Sequence, residues 1–279
     1  MKTILLTGAT DGIGLATAKM LVSLGHLVLL HGRNQKKLDQ VIESLGSTYP
    51  DAKVNGFVAD LSSMTEVDSL AKSVSERYER LDVLINNAGV FKVSDSMTAE
   101  KLDVRFVVNV IAPCLLTQRL LPMLGKTGRV INLSSAAQSP VDMEALRGNR
   151  QLSDGEAYAQ SKLALTMWSR HLALSLGEDG PAIIALNPGS LLASKMVKEA
   201  FGVAGKDIQI GAEILTRAAI SDEFAAASGQ YFDNNSGRFA SPHPDAFDNE
   251  KCQAIVQAIK TLLDSIQKLE RTKSPIGNT

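Results

Sequence analysis

The chain has 279 residues, 44% hydrophobic and 21% charged, with 29 basic side chains against 30 acidic ones and a net charge of −1. That balance leaves no cationic excess for a phosphate backbone, which excludes nucleic-acid binding by bulk charge and favours small or neutral partners. Two cysteines, Cys114 and Cys252, cannot make a disulfide framework and no Cys/His set has zinc-ligand spacing, so a reducing compartment and no metal site are expected.

At ~150 residues per domain the length allows two domains. The elements argue for one, because short β-branched and leucine-rich runs alternate with helix-period segments from end to end, as in βαβ units feeding a parallel sheet. The first strand is expected at 3–7. Met1-Lys2 and the apolar run after it resemble a signal-peptide start, but Gly8 and Asp11 interrupt it too early for a cleavage site. Thr7-Gly8-Ala9-Thr10-Asp11-Gly12-Ile13-Gly14 then leads into a helix over 13–24. A strand, a glycine turn and a helix N-terminus form an anion cradle: glycines let backbone approach a pyrophosphate and the helix end presents free N–H groups.

The second strand, 26–31, ends in His31-Gly32-Arg33-Asn34 before a helix over 34–46. Dinucleotide folds place an acid at this strand end for a ribose 2′-hydroxyl, or an arginine nearby for a 2′-phosphate. Here Gly32 stands at the acidic position and Arg33 follows, which points to NADP(H); a solvated arginine at a strand exit is the bland reading, and Asp11 would oppose the phosphate if it pointed that way. A third strand at 53–58 precedes Asp60-Leu61 and a helix over 64–79, whose N-cap Asp60 could be.

The fourth strand, 82–86, ends in Asn86-Asn87-Ala88-Gly89, with Phe91 just beyond, and a long helix is expected over 98–124. Within it Pro113 has no N–H, so the Asn109 carbonyl loses its helical partner and a local kink with a water site should follow. No stretch of 18 apolar residues occurs, since the most apolar window, 104–116, contains Arg105, Asn109 and Pro113. A soluble, cytoplasmic protein with no membrane span is the expectation.

The fifth strand, 128–133, runs into Ser134-Ser135, and a helix over 155–177 carries Tyr158 and Lys162 four residues apart on one face. A phenol near pKa 10 is a poor base at neutral pH, and an adjacent ammonium favours its ionised form. A second Tyr-x-x-x-Lys, Tyr49 to Lys53, contains Pro50 and cannot present one helical face. The sixth strand, 182–187, ends in Asn187-Pro188-Gly189; a helix over 210–221, a strand at 229–233 and an amphipathic helix near 247–269 complete the pattern. The polar tail 271–279 is expected to be disordered. The connections 136–154 and 190–209 are long and leave the carboxyl edge of the sheet, where ligands of open α/β folds bind, so both read as lids.

These motifs, in this order, resemble the short-chain dehydrogenase/reductase family over residues 1 to about 235. The TGxxxGxG spacing, NNAG, the strand-end serine, YxxxK and the PG element all match, and the GRN strand end with Gly229-Gln230-Tyr231-Phe232 looks like the retinol-dehydrogenase and protochlorophyllide-reductase-like branch. The resemblance implies one doubly wound Rossmann domain over 1–270, with a seven-stranded parallel sheet in the order 3-2-1-4-5-6-7 and helices on both faces. It further implies a catalytic tetrad of Asn109, Ser135, Tyr158 and Lys162, with the main chain of Asn109 anchoring a relay water. Cofactor contacts would come from Gly8, Thr10, Asp11, Gly12, Ile13, Gly14, Arg33, Asn34, Asp60, Leu61, Asn87, Ala88, Gly89, Tyr158, Lys162, Pro188 and Gly189. Asp60 would bond the adenine amino group.

Two departures stand out. The family's threonine after the PG element is absent, leaving Ser194 or Ser190 to meet the carboxamide, and 22 residues separate Ser135 from Tyr158, more than the common spacing. That insertion, with Met143, Leu146, Arg147 and Arg150, could cap the active site or obstruct a helix-to-helix dimer face, so homodimer and monomer both stay open. The implied activity is NADP(H)-dependent hydride transfer between nicotinamide and the carbonyl or alcohol of a small, apolar substrate. A redox-sensing NADP-binding protein without turnover is the alternative, and the intact tetrad counts against it. A serine hydrolase lacks a GxSxG elbow, and His26, His31, His171 and His243 read as core or solvated histidines.

Overall fold

The computed structural model describes residues 1–193, 202 and 205–273. Its strands are β1 (Thr3–Leu6), β2 (Leu27–Gly32), β3 (Lys53–Val58), β4 (Val83–Asn86), β5 (Arg129–Leu133), β6 (Ala182–Asn187), β7 (Tyr231–Asp233) and β8 (Arg238–Ala240). They form one sheet in the order β3-β2-β1-β4-β5-β6-β7-β8, parallel throughout except for the antiparallel pair β7–β8. The expected order of seven parallel strands is therefore present, with an eighth strand added at one edge.

Because side chains alternate across a strand, each buried strand feeds two cores. Leu5, Leu29, Leu84, Val130 and Ile183 face the layer of α3 (Met64–Arg77), α5 (Ala112–Leu120), α7 (Asp154–Leu176) and α9 (Asn249–Lys273). Their neighbours Ile4, Leu6, Val28, Leu30, Ile85, Ile131 and Ile184 face α1 (Gly12–Ser23), α2 (Gln35–Thr48) and α8 (Gln209–Ile220). The chain reverses its direction of winding between β1 and β4, so the glycine turn after β1 and the NNAG element after β4 meet at the crevice where such sheets bind ligands.

The expected helix over 98–124 is shorter and interrupted. Asp103 caps it by accepting from the Arg105 N–H, and the preceding residues form a turn in which Thr98 N–H donates to the Leu102 carbonyl. From there α4 (Val104–Phe106), a π-helical turn (Val107–Ile111) and α5 run on in sequence. The run Val104–Met123 is long and apolar enough to cross a bilayer, with mean hydropathy 1.4, but 72% of its most apolar window is buried inside the molecule. Arg105 explains part of this: it is 1% exposed and its guanidinium is held by Asp103 and Asp154.

The connection 136–154 is not a plain loop. It contains the helical turn α6 (Met143–Leu146), capped by Asp142, with Ala145 and Leu146 buried in the core. Asp142 N–H donates to Gln160 Oε1 at 2.8 Å and its carboxylate bridges Arg150, which fastens the insertion to α7. The terminal helix extends to Lys273, so residues 271–273 of the expected disordered tail are helical, and 274–279 lie outside the described residues.

Candidate active site

Gly8 and Gly12 take positive φ angles of 65° and 57°, which only glycine adopts freely, and they turn the chain from β1 into α1. A Cβ on Gly14 would lie 2.1 Å from the Gly8 carbonyl oxygen and 2.6 Å from Asn87 Nδ2, so the helix rests directly on the turn. Asn87 Nδ2 donates to the carbonyls of Thr7 (2.8 Å) and Gly8 (3.1 Å), while Thr7 Oγ1 accepts from the N–H groups of Asn87 and Ala88 (both 3.0 Å). The NNAG element thus laces the glycine turn to β4. Asp11 turns to its own helix, accepting from Gly12 N–H at 2.7 Å, and α1 carries Ile13 beside it.

At the end of β2, a Cβ on Gly32 would meet Thr10 Cγ2 at 2.5 Å, so the position where an acid would bind a ribose is closed to any side chain while Thr10 holds its place. Arg33 is exposed and has no ion-pair partner among the described residues. Asn34 caps α2 by accepting from Lys37 N–H at 3.0 Å. Thr10 and Asp11 open onto a cleft of about 350 Å³ between α1 and α2 that Lys19 and Lys37 also line. Asp60 is not the cap of α3: Ser63 takes that place, because the Asp60 carboxylate closes a local turn onto Ser62 N–H (2.8 Å) and Oγ (2.7 Å). Leu61 beside it is buried.

The chemical end gathers on α7. Ser153 and Glu156 form a capping box, which fixes the start of this helix one turn before Tyr158. Ser134 and Ser135, adjacent in sequence, part ways. Ser134 Oγ is buried against Thr166 Oγ1 (2.7 Å) and the Lys162 carbonyl (3.2 Å), a packing role, whereas the Ser135 side chain stands by the Tyr158 phenol and favours its ionised form. Burial pushes the phenol above its ordinary pKa, and the Ser135 hydroxyl works against that rise. Lys162 is 4% exposed with its Nζ on the Leu133 carbonyl at 2.7 Å and 5.5 Å from the centre of the Tyr158 ring. Desolvation pulls its pKa down to about 8. Phe91 packs against the Tyr158 ring, ring centres 4.8 Å apart.

Asn109 lies in the π turn, where the Ala112 N–H reaches back to the Val107 carbonyl. The expected disturbance before Pro113 therefore takes the form of a widened turn, a feature frequent at functional sites. The Asn109 side chain is fully engaged: Oδ1 accepts from Val90 N–H (2.8 Å), and Nδ2 donates to the Val90 carbonyl and to Ser161 Oγ (both 3.0 Å). Ser161 Oγ in turn donates to the Tyr158 carbonyl at 2.7 Å. Gly89 completes the convergence, since a Cβ there would come 3.3 Å from Asn109 Oδ1 and 3.5 Å from Lys162 Nζ.

After β6, Asn187 Nδ2 donates to Asp233 Oδ1 at 2.7 Å and the Pro188 carbonyl accepts from Asn234 Nδ2 at 2.9 Å, so β7 and the residues after it hold the PG element. Gly189 follows at φ 121°. Ser190 is tied to Asn235, whose Oδ1 accepts the Ser190 N–H (2.9 Å) and whose Nδ2 donates to its hydroxyl (2.8 Å), leaving the hydroxyl proton and one lone pair to offer a ligand. Ser194 lies outside the described residues. The connection 190–209 is pinched at its base by the Leu192–Lys206 bridge, with Ala193 N–H on the Lys206 carbonyl at 2.7 Å.

Residues 2–204 match the family model described as short chain dehydrogenase. The chain belongs to that family. This dehydrogenase is 32% identical over 273 residues to human retinol dehydrogenase 13, covering 91% of this chain and 82% of the relative. It is 33% identical over 250 residues to human polyprenol dehydrogenase, covering 82% of this chain and 76% of the relative. Those likenesses set the dehydrogenase in the retinol-dehydrogenase-like branch. Among solved structures it is similar to a short chain dehydrogenase of Shigella flexneri complexed with NADP, at TM-score 0.66 and 28% identity, covering 84% of this chain and 97% of that one. NAD(P)-dependent oxidoreduction is the activity class of the dehydrogenase.

Sequence reasoning missed several residues that build the dehydrogenase's site. His31 reads as a core histidine, and it is one, but its ring accepts Gly8 N–H at Nδ1 (3.2 Å), so Nε2 carries the proton and donates to the Ala59 carbonyl (2.9 Å). Tyr231 and Gln138 both donate to the Ser135 carbonyl, at 3.0 and 2.8 Å, and steady the loop that bears the serine. Tyr231 stands in the YF segment that carries the branch resemblance. No comparable signal marks Gln138 or Ser161. Behind the site, a buried polar chain runs from Thr117 and Asn86 through Asn132 to Ser169, with Asn86 Nδ2 on Asn132 Oδ1 at 2.7 Å and Asn132 Nδ2 on Ser169 Oγ at 2.8 Å.

Proposed function

We propose that the protein is an NADP(H)-dependent alcohol dehydrogenase or carbonyl reductase of a small, apolar substrate. The observation that carries the reading is the buried Tyr158 phenol with Lys162 one helical turn along the same face, its Nζ 5.5 Å from the ring centre, and Ser135 beside the phenol. Its raised pKa keeps Tyr158 protonated at neutral pH, the state required of a group that gives a proton to a carbonyl oxygen.

The residues present fit a dinucleotide. The glycine turn is a cradle that a Cβ would fill, the closed position at Gly32 removes the acid expected for NAD(H), and Arg33, without an ion pair among the described residues, with Lys37 in the first turn of α2 supplies cations for a 2′-phosphate. When bound, NADPH supplies the hydride for reduction and NADP accepts it for oxidation. Tyr158 delivers the proton to the substrate oxygen as the hydride reaches the carbonyl carbon, and recovers it in the reverse direction. Ser135 orients that oxygen and stabilises charge on it. Lys162 keeps two N–H donors beyond its bond to Leu133, enough to hold the nicotinamide ribose hydroxyls and favour proton loss from Tyr158. Asn109 braces the backbone at Val90 and, through Ser161, at Tyr158. Phe91 against the Tyr158 ring supports an apolar substrate.

Replacement of Tyr158 by Phe is expected to lower NADPH-dependent reduction of an aldehyde panel by roughly 100-fold or more while NADPH still binds. Unchanged turnover in that variant rejects the reading.

A further inference from the structure

At the β8 edge of the sheet, away from the glycine turn, a cleft of about 510 Å³ opens between α7, the β7–β8 hairpin and residues 241–247. Arg170 enters it from α7, 12 residues beyond Tyr158, about 18 Å along the helix. The guanidinium sits 4.9 Å over the ring of Phe247, and its Nε is buried with no hydrogen-bond partner. A buried, charged donor without an acceptor is costly and calls for a partner. Arg238 enters from β8, exposed and without an ion pair among the described residues.

No carboxylate lines the cleft among the described residues, and those on the flanking segments are engaged elsewhere. Asp233, opposite Arg238 in the hairpin, accepts from Asn187 and from Asn235 N–H; Asp245 bridges Lys251; Asp248 accepts from the first N–H groups of α9. The two arginines therefore meet apolar surface from Pro242 and Phe247, the latter 49% exposed, while the Phe239 ring turns to the other face of the sheet against Phe224 and Phe232. A pair of cations beside an aromatic and a prolyl wall suits a ligand with an anionic head and an apolar body, the guanidinium fork matching carboxylate and phosphate oxygens.

We propose that this cleft is a second binding site, separate from the catalytic one, for an amphipathic organic anion whose carboxylate or phosphate monoester lies between Arg170 and Arg238 with its chain against Pro242 and Phe247. Two walls of the site touch the catalytic loop: Tyr231 donates to the Ser135 carbonyl and Thr166 Oγ1 contacts Ser134 Oγ.

Calorimetric titration of the NADP-saturated enzyme tests the assignment, with octyl phosphate, octanoate, octanol and inorganic phosphate as probes below micellar concentration. Octyl phosphate and octanoate are expected to bind one site, and Arg238→Gln and Arg170→Gln each to weaken them by about tenfold or more without changing octanol binding. Arg238 is exposed and unpaired, so its variant keeps the fold even if Arg170→Gln does not. Three results would overturn the proposal: anion affinity unchanged in Arg238→Gln, octanol or inorganic phosphate binding as tightly as octyl phosphate, or capture by phosphatidate vesicles with no binding of free octyl phosphate.

Discussion

Burial without a carboxylate partner holds the Lys162 ammonium at a pKa of about 8, against 10.5 in the open. Between those values the unfolded chain binds the proton that the folded one lacks, so stability rises with pH from about 8 to 10.5 and the full penalty, on the order of 3 kcal/mol, applies below 8. Lys162→Met should accordingly raise the denaturation midpoint at pH 7 by the equivalent of roughly 1–2 kcal/mol, the Leu133 carbonyl losing its donor in exchange, and abolish turnover. Repeating the denaturant titration near pH 10.5, where the gap should close, separates this charge effect from simple repacking. At the other end of the crevice, Arg33→Ala is expected to weaken NADPH by roughly tenfold or more and leave NADH nearly unchanged, since only the former carries a phosphate for the guanidinium to meet. Equal losses for both cofactors in a fluorescence titration would remove Arg33 from that role.

Three elements meet at one ring. His31 joins the end of β2 to the glycine turn through Gly8 and to the end of β3 through Ala59, and it does so as a neutral imidazole. Desolvation lowers its pKa below 6.5; the unfolded chain then takes up the proton first, so stability is complete above pH 6.5 and is lost as pH falls toward the folded value. Chemical denaturation between pH 5 and 8 should show that decline in the native protein and a shallower one in His31→Gln, with the shifted His26 accounting for the remainder. Elements of this kind were legible where period and punctuation agreed. The strands from β1 to β6 and the helices between them follow from apolar runs bounded by glycine, proline and caps, and Pro113 foretold a break that emerged as a π turn. The residues that escaped did so for physical reasons. Arg238–Ala240 is too short to show alternation and is a strand only because β7 offers it a partner, while the turn over 98–103 depends on the Asp103 cap overriding an apolar pattern. Nothing in a Ser-Ser dipeptide tells which hydroxyl packs and which faces the ligand until Thr166 and Tyr158 are in place.

Over the whole molecule, the helix layer on the α7 side is closed from within. α9 buries Cys252, Ile255, Ile259, Leu263 and Ile266, spaced three and four apart, and lies against α7, α3 and α6. The insertion 136–154 helps to seat it, because Ala145 and Leu146 belong to the same core. With those helix faces covered by the chain itself, sedimentation should report a species near 29.8 kDa, and removal of residues 249–279 should expose the stripe beneath and drive self-association. A dimer of the intact chain that persists at low micromolar concentration would contradict this. The buried Asn86–Asn132 amide contact has a meaning at the same scale. These residues are paired across β4 and β5, each next to a functional strand end: Asn87 to Gly89 on one side, Ser134 and Ser135 on the other. Sliding one strand by a single position would turn that strand's amide toward the opposite helix layer, leave it unsatisfied among aliphatic neighbours and take from the other amide its partner across the strands. The pair acts as an alignment pin between the half of the sheet that cradles a nucleotide and the half that moves a proton, and it makes the spacing between them a property of strand registration rather than of any loop.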